Sequence, residues 1–176
     1  MMASRPGCPL ACPSQADLDW FRRTGIDAMT LATPTAMQVT RGFVAHDGLF
    51  EHDAAGDVWF AFDEFTADDV VFWHRHTGRL ASWSGRVFAL GQVIIEEPAT
   101  YSFDCALNIF ADPMDWLRSR RDGIVVLPNR WSAAFDRLRD CPRIAIAENL
   151  LPLYRHHMKP AWIPELLVIP EMRRAA

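Results

Sequence analysis

The order of hydrophobic and polar positions divides the chain into two patterns. From residue 37 to residue 90, apolar residues alternate with polar or small ones, and turn signals such as Asp47-Gly48 separate the runs. A period of two is typical of strands, because successive side chains point to opposite faces of a sheet. The runs at 58–62 and 70–73 are rich in β-branched and aromatic residues, which strands favour. This part of the chain predicts an antiparallel meander of four to six strands that ends with residues 87–90.

From residue 105 to residue 170, the apolar residues come in short continuous runs instead. Continuous runs suit strands that are buried on both faces, as in a parallel sheet. Segments with helical signals separate the runs, at a spacing that fits a strand, a short helix and two turns. We expect a small β-α-β-α-β-α-β layer with a mostly parallel sheet. Its four strands are predicted at residues 106–110, 124–127, 144–147 and 166–169.

Capping residues place the first two helices. Ser14 is a good N-cap, and Gly25 predicts the end of the helix that follows it. Asp112 precedes a proline, and an N-cap followed by proline is a strong start signal for a second helix. We expect this second helix to carry the arginines of residues 118–121 in its last turn and to end at Gly123.

Two more helices are expected in the C-terminal part, one capped by Asn129 and one that starts near Asn149. The fold class is therefore predicted as α+β, an antiparallel meander followed by a small α/β layer. We expect one compact unit with short tails. Its parts are a tail at 1–15, a helix and meander at 16–104, an α/β layer at 105–170 and a tail at 171–176.

Composition agrees with a packed domain. Half of the 176 residues are hydrophobic and 11% are aromatic, which is enough for a core. No apolar run approaches the ~20 residues that a membrane-spanning helix needs. Residues 1–7 lack the apolar region of a signal peptide. We therefore expect a soluble, cytoplasmic protein that does not contact a membrane.

Charge is divided unevenly along the chain. Residues 1–104 carry a net charge of −7 and residues 105–176 a net charge of +3, for a total of −4. Neither part is basic enough to indicate non-specific binding of nucleic acid. Much of the negative charge lies in the stretch 63–69, between two predicted strands. We expect this stretch to be a solvated loop.

Candidate chemistry follows from the predicted strand ends, where open α/β sheets bind their ligands. The polar residues expected there are Asp112, Asn129, Glu148 and Glu171. Two or three such groups could bind a divalent cation or act in acid–base catalysis, with Asp112 and Glu148 as the catalytic candidates. The structural alternative is that Asp112 and Asn129 are helix caps and that Glu148 lies in a first helical turn.

The segment 144–148, an apolar strand followed by Glu148 and a helix, resembles part of the Toprim fold of primases and topoisomerases. That resemblance implies metal-dependent phosphoryl chemistry, which also needs an Asp-x-Asp pair after the next strand. Residues 167–171 contain no such pair. If the layer is Toprim-like, we therefore expect it to be a degenerate form without its metal ligands.

Two histidine pairs are metal-ligand candidates. His74 and His76 are two residues apart, so both could point to one side of a strand, whereas His156 and His157 are neighbours on a predicted helix. Such imidazoles would suit zinc or non-haem iron. The His-x-His pattern of cupins requires a glutamate soon afterwards, and none follows His76. The alternative is that the first pair flanks an exposed turn. No cofactor is predicted beyond this candidate divalent metal.

Seven tryptophans are many for a chain of this length. Most must lie in the core, but an exposed tryptophan is a good interface anchor. Trp73, Trp83 and Trp116 are our candidates for contacts with a partner. Stacking on single-stranded nucleic acid is the alternative use of such rings, and the acidic N-terminal part disfavours it.

Two parts of the sequence carry a wider resemblance. One runs from 70–73 through 77–79 to 88–91, and the other from 112–118 to 123–127. Both resemble uncharacterised proteins of alphaproteobacterial prophages and other mobile elements. The resemblance implies a bacterial mobile-element context, and it brings no activity, cofactor or catalytic residue.

These observations favour a non-enzymatic accessory or protein-interaction protein of a bacterial mobile element, whose partner is another protein. The first alternative is a metal-dependent, hydrolase-like enzyme that uses Asp112, Glu148 and one histidine pair. The second alternative is a nucleic-acid accessory factor with a degenerate Toprim-like layer. The sequence does not define the oligomeric state.

Overall fold

The computed structural model describes residues 8–158, and the chain has the α+β fold that the sequence predicts. Five α-helices and nine β-strands are present in this part. The helices are α1 (Gln15–Arg23), α2 (Ala28–Ala32), α3 (Pro113–Arg118), α4 (Trp131–Leu138) and α5 (Leu151–His157). The strands are β1 (Gln38–Val44), β2 (Phe50–His52), β3 (Asp57–Glu64), β4 (Asp69–Trp73), β5 (Leu80–Ser82), β6 (Ala89–Leu90), β7 (Leu107–Ile109), β8 (Val125–Val126) and β9 (Ile144–Ile146).

Strands β1–β5 form one antiparallel sheet in the order β2-β1-β3-β4-β5. This confirms the predicted antiparallel sheet, with one difference from a simple meander. Strand β2 lies on the outer side of β1, so the chain must cross the end of β1 to begin β3. Gly56 makes that crossing, since a Cβ there would lie 2.7 Å from the Cα of Gly42.

Both faces of the five-stranded sheet are buried. On one face, Phe60 and Phe62 of β3 pack with Phe21 of α1. On the other face, Trp59 of β3 packs with Phe72 of β4 and their neighbours. Alternate residues of β3 therefore face two different apolar clusters, one on each side of the sheet, and neither face of the strand is polar.

Within residues 8–158, the C-terminal part forms two two-stranded sheets rather than one mostly parallel sheet. Strands β7 and β9 pair in parallel, as expected for two of the predicted runs. Strand β8 instead pairs antiparallel with β6, and only a single bridge between Ile109 and Ile124 joins it to β7. The predicted meander strand at 87–90 thus contributes β6 to this second layer. The fourth predicted strand, 166–169, lies outside the described residues.

Of the three N-caps predicted from the sequence, Ser14, Asp112 and Asn129, two are observed. Ser14 and Asp17 form a reciprocal capping box at α1, and the carboxylate of Asp112 accepts from the backbone N–H groups of Met114 and Asp115. Asn129 does not cap α4 as predicted, because it lies inside a 3₁₀ turn, Pro128–Arg130, that leads directly into the helix.

Asp69 joins the sheet to the C-terminal layer. This residue is fully buried at the start of β4, and its carboxylate accepts hydrogen bonds from the backbone N–H groups of Val70, Ser84, Arg86 and Val87 at 2.8–3.1 Å. The donors on residues 84–87 belong to the segment that enters β6. The prediction of a solvated loop at 63–69 is therefore wrong at this position, because the loop's last carboxylate organises the backbone around it.

None of the helices between residues 8 and 158 is both long enough and apolar enough to cross a membrane.

Candidate functional site

The acidic candidates at the strand ends lie at helix starts. Asp112 is the N-cap of α3, and one of its carboxylate oxygens already accepts two backbone hydrogen bonds. Glu148 is an exposed residue in the first position of the 3₁₀ turn Glu148–Leu150 that precedes α5. Glu171 lies outside the described residues. Helix capping thus accounts for the position of Asp112. The surroundings of Glu148 do not indicate a chemical role for it.

The histidines form two separate ring contacts. The rings of His74 and His76 are 5.8 Å apart, and those of His156 and His157 are 4.9 Å apart. His74 is buried, its Nδ1 is bonded to the Thr77 hydroxyl at 2.8 Å, and burial lowers its pKa. Within residues 8–158, no three of the His, Cys, Asp and Glu side chains form a group that could hold a metal ion.

Two of the three tryptophans predicted as partner contacts are core residues. Both rings are buried in one core cluster with Phe21 of α1, and Trp116 also lines a cavity that is described below. Neither residue is exposed on the surface as the sequence suggested, and contact with a partner stays a prediction for both. Trp83 is half-buried against Phe72.

Burial singles out a different residue, Glu64, at the end of β3. It is only 5% exposed, and its Oε1 accepts a hydrogen bond from the backbone N–H of Gly91 at 2.5 Å. Burial is the main cause that raises the pKa of Glu64 to about 8, and the neighbouring charge of Asp63 also raises it. The N–H of Gly91 and the charge of Arg121 act in the opposite direction. At neutral pH the Glu64 carboxyl is therefore mostly protonated.

Arg121 is the second buried ionisable group of this region, and it is 7% exposed. Its two Nη atoms donate to the carbonyl oxygens of Thr35 and Leu31 at 2.9 and 3.2 Å. Its guanidinium also lies over the rings of Phe62 and Trp116, 5.3 and 5.4 Å from their centroids. Burial lowers its pKa to about 10, and its Nε has no hydrogen-bond partner among residues 8–158.

The end of α3 puts Arg121 in this position. The N–H of Arg121 donates to the carbonyl of Trp116, and the N–H of Arg120 donates to that of Leu117, which is the Schellman arrangement of a helix C-terminus. Glycine usually occupies the left-handed position of this motif, yet here Arg120 has φ +57° and Arg121 φ +63°. Two non-glycine residues in this conformation store backbone strain of the kind that clusters at functional sites.

Glu64 and Arg121 line one cavity of about 280 Å³. The buried rings of Phe62 and Trp116 form its floor, where they meet edge to face with centroids 5.5 Å apart. Its mouth is apolar as well, because Phe65 is 62% exposed and Val93 is 38% exposed. We call this space the Glu64 cavity. It combines apolar walls with two acidic residues, Asp63 and Glu64, and two basic residues, Arg120 and Arg121.

The sequence contained a signal for Glu64 that a purely local interpretation misses. Phe60, Phe62 and Glu64 are at alternate positions of one strand, so a carboxyl group continues the apolar face that the two phenylalanines begin. The acidic residues of the stretch 63–69 made this two-residue period hard to recognise, because they suggested a loop. No comparable signal marks Arg121, since its burial depends on tertiary contacts with residues 31–35.

No protein-family model matches the chain, and neither a search of curated proteins nor a search of solved structures finds a match. The mobile-element context consequently stays a prediction from the sequence.

Proposed function

We propose that the protein is a non-enzymatic interaction protein that receives one apolar side chain of a protein partner in the Glu64 cavity. The observation that carries this proposal is the position of Phe65 and Val93, two exposed hydrophobic residues at the mouth of an apolar cavity. An exposed apolar rim around a pocket with buried aromatic walls is typical of the centre of a protein–protein interface.

The size of the cavity favours a side chain over a free small molecule. Pockets for drug-sized ligands have volumes of roughly 300–1,000 Å³. The Glu64 cavity has about 280 Å³, just below that range. It would hold one large aliphatic or aromatic side chain, and the rest of the partner would cover Phe65 and Val93 outside it.

Charge at the mouth defines the partner further. Arg120 lines the cavity with an exposed side chain, and its guanidinium has no hydrogen bond or ion pair to any residue between 8 and 158. Asp63 also lines the cavity, but Glu64 is mostly neutral at pH 7, so the two arginines Arg120 and Arg121 leave the lining with a net positive charge. We therefore expect the partner segment to carry an acidic residue beside its apolar anchor.

Peptide selection tests this proposal without knowledge of the natural partner. A random peptide library displayed on phage would be selected on the folded protein, and the dissociation constants of enriched peptides would be measured by calorimetry. We expect the enriched peptides to share one large apolar residue with an acidic neighbour. Phe65→Ser should weaken their binding about tenfold or more, the effect of losing roughly 1.4 kcal/mol of apolar contact at the rim.

Phe43→Ser is the matched control, since Phe43 is 44% exposed on β1 and does not line the cavity. It should leave the dissociation constants unchanged. Arg120→Gln should weaken binding less than Phe65→Ser and should reduce its salt dependence. Peptides without a common apolar residue, or peptides that bind the Phe65→Ser protein as tightly as the wild type, would overturn the proposal.

The metal-dependent and nucleic-acid alternatives stay predictions from the sequence, because no observation in residues 8–158 favours either of them over the cavity.

A further inference from the structure

A second cleft, of about 380 Å³, lies on another part of the surface. The turn between β1 and β2 forms one wall, β5 forms a second, and the 3₁₀ turn before α4 closes it. The polar side chains that line it are those of Arg79, Ser82, Asn129, Arg130 and Asp47. The cleft shares no lining residue with the Glu64 cavity.

Two glycine turns lie beside the donors of this cleft. Gly85 has φ +75°, and a Cβ at that residue would lie 2.6 Å from Nη2 of Arg130. Gly48 has φ +84°, and a Cβ there would lie 3.7 Å from Nδ2 of Asn129. The left-handed conformation at residue 85 favours glycine, and the absence of a Cβ there leaves room for the Arg130 guanidinium in its present position. Arg130 is half-buried, although it carries a full charge.

The donors in this cleft are unused. Within residues 8–158, the side chains of Arg79, Arg130 and Asn129 form no hydrogen bond and no ion pair. Each guanidinium offers five N–H groups, and the amide offers two more. The one acidic side chain present, Asp47, already accepts from the backbone N–H of Leu49 at 2.9 Å. The cleft therefore has a net positive charge and more donors than acceptors.

We propose that this cleft binds the phosphate group of a small organic phosphate monoester. Guanidinium groups bind phosphate oxygens as forked donors. The charge of two guanidinium groups is neutralised by a phosphate dianion, whereas a single carboxylate neutralises only one of them. A volume of about 380 Å³ exceeds what inorganic phosphate would fill and falls within the range of small-molecule sites. The ligand is thus a phosphate on a small organic body, with Arg130 as its inner contact and Arg79 as its outer one.

Calorimetry on the full chain at low ionic strength tests this site with three probes, inorganic phosphate, AMP and ribose 5-phosphate. Adenosine serves as the probe without a phosphate. We expect at least one monoester to bind more tightly than inorganic phosphate, and adenosine not to bind. Arg130→Gln and Arg79→Gln should each weaken that binding about tenfold or more, because each removes charge-assisted hydrogen bonds.

Arg23→Gln is the matched control, since Arg23 is exposed on α1, lines neither cavity and also has no side-chain partner within residues 8–158. It should not change binding. If Arg130→Gln unfolds the protein, the exposed Arg79→Gln variant provides the same test without loss of packing. The proposal is overturned if no monoester binds at millimolar concentration, if adenosine binds as well as AMP, or if the Arg23 variant is weakened equally. The Phe65→Ser variant should bind the monoester normally, so failure here leaves the Glu64 cavity untouched.

Discussion

Asp69 and Glu64 face each other across the same pair of strands, yet their surroundings differ. They are cross-strand partners in the β3–β4 ladder, and both are buried. Asp69 accepts hydrogen bonds from four backbone N–H groups, whereas Glu64 has only two backbone donors, Gly91 and Gln92, and borders a cavity. A buried carboxylate with all its donors in place stabilises the fold. A buried carboxyl group with few donors and an open side has capacity left for a ligand.

The largest expected effect is the loss of the Asp69 carboxylate. Asp69→Ala should lower the free energy of unfolding by roughly 4–5 kcal/mol, since it leaves four N–H groups without an acceptor in a buried position. Chemical denaturation with urea would measure it. Asp69→Asn keeps one acceptor oxygen, so it should lower the free energy of unfolding less than Asp69→Ala does.

Asp68→Asn is the control for that measurement. Asp68 is the exposed neighbour that pairs with Arg86, and asparagine tolerates its left-handed backbone at φ +48°. The free energy of unfolding of the Asp68→Asn protein should differ from that of the wild type by less than about 0.5 kcal/mol, as is usual for surface ion pairs. Equal losses in the Asp68 and Asp69 variants would contradict the structural role of Asp69.

On the Glu64 side, Arg121→Met should cost roughly 3 kcal/mol, because the carbonyl oxygens of Leu31 and Thr35 lose their buried donor. Methionine keeps most of the apolar stem over the aromatic rings. Arg118→Met removes an exposed arginine that is paired with Asp115 and should cost less than about 1 kcal/mol. A small loss for Arg121→Met would mean that the strained end of α3 does not depend on this side chain.

The raised pKa of Glu64 makes a prediction about pH. In the unfolded chain the carboxyl titrates near 4.5, and in the folded protein near 8. The folded state therefore holds the proton more tightly, so the contribution to stability is fully present below pH 4.5 and is lost as the pH rises through 8. Between pH 5 and pH 8 the loss should be roughly 3 kcal/mol.

Glu64→Gln isolates this contribution, because the amide cannot ionise. The difference in unfolding free energy between wild type and variant should change by that amount across the same pH range. A constant difference would show that Glu64 ionises normally and that the contrast with Asp69 is mistaken.

The smallest expected effects concern the two helix ends. Helices α1 and α3 both end in Schellman hydrogen bonds, but Gly25 holds the left-handed position in α1 and Arg120 holds it in α3. Gly25→Ala should destabilise the protein by about 1 kcal/mol, and Arg120→Gly should stabilise it by a similar amount. The midpoint of thermal unfolding should fall for the Gly25→Ala protein and rise for the Arg120→Gly protein. A loss of stability in the Arg120→Gly protein would show that no strain is stored there.

Local sequence signals predicted the secondary structure well where one residue decides it. Ser14 and Asp112 start their helices as their side chains require, and the antiparallel sheet follows from period-two alternation. The pairing of β8 with β6 was not predictable in this way, because a two-residue strand carries no register information of its own.

The candidate site was harder to predict than the fold. The charges of the stretch 63–69 suggested that it is exposed to solvent. The strand period instead places Glu64 on the same face as Phe60 and Phe62, and tertiary packing buries it there. The histidine candidates rested on residue type and spacing, and the tryptophan candidates on residue type. Burial of Trp73 and Trp116 depends on the layers above them, which no local pattern contains.

The most direct test of the Glu64 cavity is a nitrogen–proton NMR spectrum of the tryptophan indole groups, with and without a peptide from the selection. The indole of Trp116, on the cavity floor, donates to the carbonyl of Gly123, and that of Trp59, on the opposite face of the sheet, donates to Gly42. We predict that the peptide shifts the Trp116 signal and leaves the Trp59 signal in place. A bound peptide that leaves Trp116 unchanged would contradict the assignment of this cavity as the binding site.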